Sequence, residues 1–338
     1  MTKEIVPSNL YLKIAELLQT ARQTVVRTVN QTMVYTYYEI GRMIVEDEQQ
    51  GKERAEYGKQ VLKELSKRLT ADFGKGFSER NLEQMRQFYL AYPISQKPSA
   101  EFKNPHFQLS WSHYLKLMRI ENHNERSFYE IECITNNWSL KELQRQFDTA
   151  LYERLALSRD KKGIKQLAQQ GHLIEKPSDA IKDPYILEFL GLPEHHHYSE
   201  TVLEQEIFDK LEHFLLELGK GFTFVGRQVR FTFDEKHFHV DLVFYNRLLK
   251  CFVLIDLKIG ELSHQDLGQM QMYVNYYDRF VKLPDENKTV GIVLCRDKNE
   301  TLVEITLPED NDQIFASRYQ TILPDKQAFI ELLSQGEV

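Results

Sequence analysis

Between Leu10 and about Pro93, apolar residues recur three and four positions apart, the spacing that lays one stripe along a helix. Leu10, Ile14, Leu17 and Leu18 open the pattern; Val34, Tyr37, Tyr38, Ile40, Ile44 and Val45 continue it; Val61, Leu62, Leu65 and Leu69 form a third stripe. Gly74 and Gly76 then break the run, Ser78 offers a helix cap, and residues 79–92 resume the helical spacing. Pro93, Pro98 and Pro105 mark a loop. Helical spacing returns over residues 110–118, 124–134 and 139–155, the last opened by Ser139 with Glu142 three positions on, as a capping box requires. Residues 1–155 are therefore predicted to form an all-α domain.

The texture changes after Leu157. Gly163, Gly171, Pro177, Asp183-Pro184 and Gly191-Leu192-Pro193 interrupt the periodicity, so residues 156–199 read as a linker with short helical pieces. Residues 201–218 are helical again, through Leu203, Ile207, Leu211, Phe214, Leu215 and Leu218. Beyond Gly221 the period falls to two, and residues 222–226, 227–233, 238–245 and 251–258 read as strands. Ser263, with Asp266 three positions on, opens a helix to about Arg279, and residues 290–295 are wholly apolar, as a buried strand is. Strand, helix, strand at this spacing predicts a parallel crossover. The expected fold is α+β multidomain: the all-α domain, the linker, and an α/β domain over residues 200–338.

Composition changes this picture little. A chain of 338 residues suits two domains. Cys133, Cys251 and Cys295 lie far apart and give neither a disulfide framework nor a zinc pattern, and His195-His196-His197 reads as an exposed loop. With no apolar run long enough to span a bilayer, the expectation is a cytoplasmic protein with no membrane partner.

Charge adds more. The formal net charge of -7 opposes nucleic-acid binding on average, but its distribution is uneven. Lys59, Lys63, Lys67, Arg68 and Lys75 gather within residues 58–75 against only Glu64 and Asp72. The helix that follows carries Arg80, Asn81, Gln84, Arg86 and Gln87, which a helix-turn-helix would present to DNA. An ordinary αα-hairpin with a solvated polar face fits the same pattern, and so does a homodimer interface. Trp111 and Trp138 read as core anchors.

The chemistry concentrates in the strands at 238–245 and 251–258, where Asp241, Asp256 and Lys258 interrupt apolar runs. Alternation places Asp256 and Lys258 on one strand face with Phe252 and Leu254. Burying either charge without compensation costs several kcal/mol. A hard divalent cation resolves this with oxygen ligands, and a structural ion pair between neighbouring strands is the alternative.

An acid-bearing helix, Asp241, and then Asp256-Leu257-Lys258 resembles the PD-(D/E)XK nuclease motif. With Gly226-Arg227-Gln228 and Gln269-Met270-Gln271-Met272-Tyr273, nearly the whole chain resembles the YhcG family. The resemblance implies a restriction-endonuclease-like fold and a metal-dependent nuclease, DNA being favoured as substrate. It assigns Mg²⁺, or Mn²⁺, to Asp241, Asp256 and the Leu257 carbonyl, and places Lys258 beside the attacking water. Glu204 matches the additional family acid, Gln269 and Tyr273 match a Gln-x-x-x-Tyr element that positions substrate or water, and Arg227 and Gln228 fall on the nucleic-acid side. Val240 stands where the motif has proline, and Asp256 where close relatives carry glutamate. An RNase, or a nuclease fold kept only for binding or assembly, are the competing readings.

Overall fold

The computed structural model describes residues 8–50, 55–92, 107–157, 161–192 and 198–335. His195-His196-His197 and the prolines at 93, 98 and 105 lie outside these residues, as does the side chain of Lys59. The chain divides into two compact units, Met1–Leu143 and Gln144–Val338.

The first unit holds α1 (Ser8–Gln50), α2 (Ala55–Phe73), α3 (Glu79–Ala91), α4 (Trp111–Leu117) and α5 (His123–Asn136), and the boundary falls within α6 (Leu140–Asp148). Ser78 caps α3 by accepting the Asn81 amide, as the sequence led us to expect. Leu82, Met85 and Phe88 of α3 are buried. The Phe88 ring meets Tyr38, Phe107, Trp111 and Tyr114 at centroid distances of 4.9–5.7 Å, which makes Trp111 a core residue. α1 approaches α3 so closely that a Cβ at Gly41 would run into the Met85 carbonyl. The opening stripe behaves differently: Leu10, Ile14, Leu17 and Leu18 are helical but 47–69% exposed.

The second unit begins with α7 (Leu151–Leu157) and α8 (Lys161–Gln170), followed by β1 (Tyr185–Ile186), α9 (Glu200–Asp209) and α10 (Leu211–Leu218). Then come β2 (Phe222–Phe233), β3 (Lys236–Asn246), β4 (Cys251–Glu261), α11 (His264–Phe280), β5 (Val290–Asp297), α12 (Glu300–Thr306), β6 (Ile314–Gln320) and α13 (Lys326–Gln335). The strands form one sheet in the order β1-β6-β5-β4-β3-β2. β2, β3 and β4 are antiparallel neighbours, whereas β4, β5, β6 and β1 run parallel, so α11 is the expected crossover helix. The capping box of Ser263 and Asp266 opens it.

Strand alternation divides the core between the two faces of the sheet. Cys251, Val253, Ile255 and Leu257 join Leu203, Ile207, Phe214 and Leu218 of α9 and α10 on one face. Leu254 joins Leu267, Met270, Val274 and Tyr277 of α11 on the other. Gly291 lets α11 close on β5, since a Cβ there would sit 2.5 Å from the Met270 sulfur.

Two features differ from the sequence pattern. The 201–218 helix breaks at Lys210 (φ −116°, ψ 34°), whose ammonium reaches the Leu190 carbonyl at 2.6 Å. Residues 177–192, within the expected linker, are built into this unit: Tyr185, Ile186 and Leu187 are wholly buried, and β1 extends the sheet. Buried Glu217 of α10 fastens this segment, accepting Arg154 Nη1 at 2.7 Å, the Ile186 amide at 3.0 Å and Arg145 Nη1 at 3.3 Å. Lys182 donates to the Glu217 backbone carbonyl. Burial alone would raise the Glu217 carboxyl, but the charges of Arg154, Lys182 and Arg145 outweigh it and hold its pKa at about 2.

Candidate active site

The site lies where β3 and β4 part. Their ladder runs from Asn246↔Cys251 to Leu242↔Ile255 and stops, while β4 continues beside β5 through Lys258↔Cys295. Asp256, Leu257 and Lys258 therefore keep one strand neighbour and lose the other. Asp241 fills the gap, its Oδ2 accepting the Leu257 amide at 2.8 Å. β3 is irregular here: Val240 and Val243 both face the α11 side, whereas Leu242 faces α9 and α10. Across from it, Gln228 of β2 adopts φ 46°, the left-handed region that costs a side-chain-bearing residue about 1–3 kcal/mol. That backbone directs the Gln228 amide to Asp241 Oδ1 at 3.0 Å and Glu204 Oε2 at 2.7 Å.

Asp256 is 2% exposed. Lys258 Nζ lies 2.8 Å from its Oδ2 and 3.9 Å from Glu200 Oε2. The first contact satisfies distance but not hydrogen-bond alignment, so Asp256 Oδ2 is a buried acceptor with no aligned donor. Burial first, and then the Asp241 charge, push the Asp256 carboxyl up to about 6 despite Lys258. Lys258 itself is raised: burial pulls it down, but Asp256, Glu200 and Asp241 together outweigh that. Glu204 is raised by burial and by Asp241, against the opposing Gln228 hydrogen bond.

On α11, Gln269 Nε2 donates to Tyr273 Oη at 2.6 Å. Burial and the Asp256 charge push the Tyr273 hydroxyl up to about 12, so this pair borders the same acids. Arg227 turns to α9, its guanidinium 4.3 Å above the Phe208 ring and 2.8 Å from Gln205 Oε1. Glu206 pairs with Lys210 at 3.0 Å, leaving Glu204 as the acid of α9 that Gln228 joins to Asp241. Glu200, which sequence reasoning did not select, precedes Glu204 by one helical turn, the spacing that could have suggested it.

The other cations expected to meet nucleic acid lie in the first unit. Lys63, Lys67 and Arg68 are exposed on α2, with Arg68 paired to Glu64 at 2.8 Å. Arg80 is exposed at the start of α3. Arg86 is held by Glu48 at 2.7 Å and Glu83 at 3.4 Å, and Asn81 by the Gly76 carbonyl at 2.8 Å.

Among the described residues no group of three or more His, Cys, Asp or Glu side chains is gathered as a ready metal cage. The donor set at the fork nevertheless suits a hard divalent cation. The Asp241 charge stands close enough to raise the cost of ionising Asp256, the buried Asp256 Oδ2 lacks an aligned donor, and every candidate ligand is oxygen.

Residues 178–334 match the family model for the YhcG PDDEXK nuclease domain, and residues 13–154 that for the DUF1016 N-terminal domain. The chain is 41% identical over 345 residues to the Escherichia coli (strain K12) protein named "Putative nuclease YhcG", covering 95% of this chain and 92% of that one. Two solved structures are weakly similar, each at 16% identity over 38% of this chain. They are a repair endonuclease from Pyrococcus abyssi (TM-score 0.26, 50% of that chain covered) and the apo form of EndoMS (TM-score 0.24, 48% covered). The family matches thus give a PDDEXK nuclease domain of mixed α/β sheet architecture that follows a helical N-terminal region in the sequence.

Proposed function

Because this chain belongs to the YhcG family, we propose that it is a metal-dependent nuclease that hydrolyses phosphodiester bonds of nucleic acid, DNA being the favoured substrate. The observation that carries this reading is the meeting of Asp241, Asp256 and Lys258 at the β3–β4 fork, with Asp256 buried yet raised toward neutrality. Asp241, Asp256 and the Leu257 carbonyl would hold Mg²⁺, or Mn²⁺, which when bound supplies Lewis-acid stabilisation of the charge that builds on the phosphate.

The chain's own groups do the rest. Lys258 orients the attacking water with its ammonium and stabilises the developing negative charge. Gln228 and Glu204 position Asp241, while Gln269 and Tyr273 position the substrate backbone at the same acids. Lys63, Lys67, Arg68 and Arg80 of the first unit supply sequence-independent affinity for phosphates. The long apolar row on α1, where Tyr11, Leu17 and Val25 are 62–69% exposed, favours pairing with a second copy of the chain. Three buried, unbridged cysteines fit a reducing cytoplasmic setting.

Incubating the protein with single-stranded, duplex and branched DNA and RNA in Mg²⁺, Mn²⁺ or EDTA tests the reading. Cleavage that requires metal and is stronger on DNA is expected. Cleavage surviving EDTA would overturn it, and binding without cleavage of any substrate would favour a nuclease fold kept only for recognition.

A further inference from the structure

Beyond the β3–β4 fork, β2 and β3 continue together as a two-stranded ribbon paired from Val229↔Val240 to Phe233↔Lys236. One face of the ribbon packs on α11 and is aromatic. Phe231 stacks on Phe238 at 5.5 Å with rings 25° apart, and on Tyr276 at 4.1 Å with rings 22° apart. Tyr276 in turn meets Phe280 at 5.3 Å. At the other end Phe231 meets Tyr273 edge-on at 5.5 Å, and Tyr273 carries the hydrogen bond to Gln269 beside the acidic site. On α11 these positions, 269, 273, 276 and 280, share one helical face.

Rings at helical spacing are ordinarily core, and the inner members are: Tyr273 is 3% exposed and Phe231 6%. The outer end is not buried. Phe280 is 66% exposed and Phe233, at the tip of the ribbon, 58%. The row therefore starts at the acids and ends in solvent as aromatic surface. Lys236 and Arg279 are exposed beside it, but Asp234 and Glu235 at the ribbon's tip offset their charge, so this surface attracts by stacking more than by charge.

Taking the acidic fork as the nuclease centre, we propose that Phe238, Tyr276, Phe280 and Phe233 form a stacking platform for unpaired bases, which selects nucleic acid with a single-stranded segment at the cleavage site. A base can lie on a ring only once it has left its duplex partner, and every base offers a π-face, so the platform selects strandedness and not sequence. Phe280 lies seven residues beyond Tyr273 on α11, about 10 Å along the helix, so a strand held at the acids would bring its neighbouring bases to the exposed outer rings, which favours a nucleic-acid strand over a protein partner.

The test measures binding of full-length protein in EDTA, by fluorescence anisotropy, to an oligothymidine strand, an abasic strand of equal length, and a duplex. Phe280→Ala, a change at an exposed ring, should weaken the oligothymidine complex roughly 5- to 150-fold, the range for loss of one stacked base. The abasic strand and the duplex should be unaffected, and Phe280→Trp should restore affinity. Tyr276→Leu should act in the same direction. An equal loss on the abasic strand, or no loss at all, overturns the platform. So does a change in sedimentation with strand binding unaltered, which would make the surface a protein contact. Wild type that cleaves with Mg²⁺ while Phe280→Ala binds normally overturns the platform alone. Wild type that neither binds nor cleaves any nucleic acid overturns the nuclease reading as well.

Discussion

Asp241 takes the Leu257 amide at 2.8 Å where the β3–β4 register would have set Val240 opposite Leu257. One carboxylate thus completes the strand's hydrogen bonding and stands in the proposed metal site. Asp241→Asn keeps an acceptor for Leu257 and removes the charge, so it should abolish cleavage with little change in melting temperature. Asp241→Ala also strands the amide and should destabilise by about 1–3 kcal/mol. Calorimetry beside a cleavage assay checks both; equal melting temperatures for the two variants would contradict the dual role.

The pH dependence of the metal-free protein follows from Asp256. Its folded pKa of about 6 lies above the ordinary carboxylate value, so its contribution to stability is complete below the unfolded pKa and is lost as pH rises through about 6. In EDTA, Asp256→Asn should melt above wild type at pH 8, the difference closing below pH 4. Mg²⁺ should raise the wild-type melting temperature at pH 8 far more than at pH 5. A metal-free Asp256→Asn protein less stable than wild type at pH 8 would favour a purely structural ion pair with Lys258.

Glu217 behaves in the opposite sense. Its pKa is depressed to about 2, so its stabilisation is present above the unfolded carboxylate value and disappears as pH falls toward 2. Glu217→Gln leaves Arg154 buried without its charge partner and should cost about 3–5 kcal/mol at pH 7 in denaturant unfolding. That cost should shrink on acidification; a constant cost from pH 7 to pH 3 would contradict the assignment.

Lys63 and Lys67 on α2 test the first unit's part in binding. If both neutralise phosphates, replacing the pair with alanine should lower the slope of log affinity against log salt by about 2. An unchanged slope would remove α2 from the interface.

Much of this was legible in the chain. Period-two alternation set Val253, Ile255 and Leu257 apart from Leu254, as the two cores do, and Ser263 with Asp266 marked the start of α11. The rest depends on tertiary context. β1 is two residues long among prolines and glycines, too short to show a period, and is a strand because β6 pairs with it. The helix break at Lys210 carries no glycine or proline to announce it. Gln228 adopts a backbone usually left to glycine, so its placement between Glu204 and Asp241 could not be read from residue type. The stripe opening α1 showed a helix but could not show that its apolar side chains stay exposed.

The central claim is that the fork is catalytic, with Lys258 serving the reaction and not the fold. It is tested most directly by cleavage kinetics of Lys258→Ala with Mg²⁺ binding measured on the same preparation by calorimetry. The account predicts a folded protein that still binds Mg²⁺ and nucleic acid while turnover falls roughly a hundredfold or more. Cleavage at the wild-type rate by that variant, with metal bound, would contradict it.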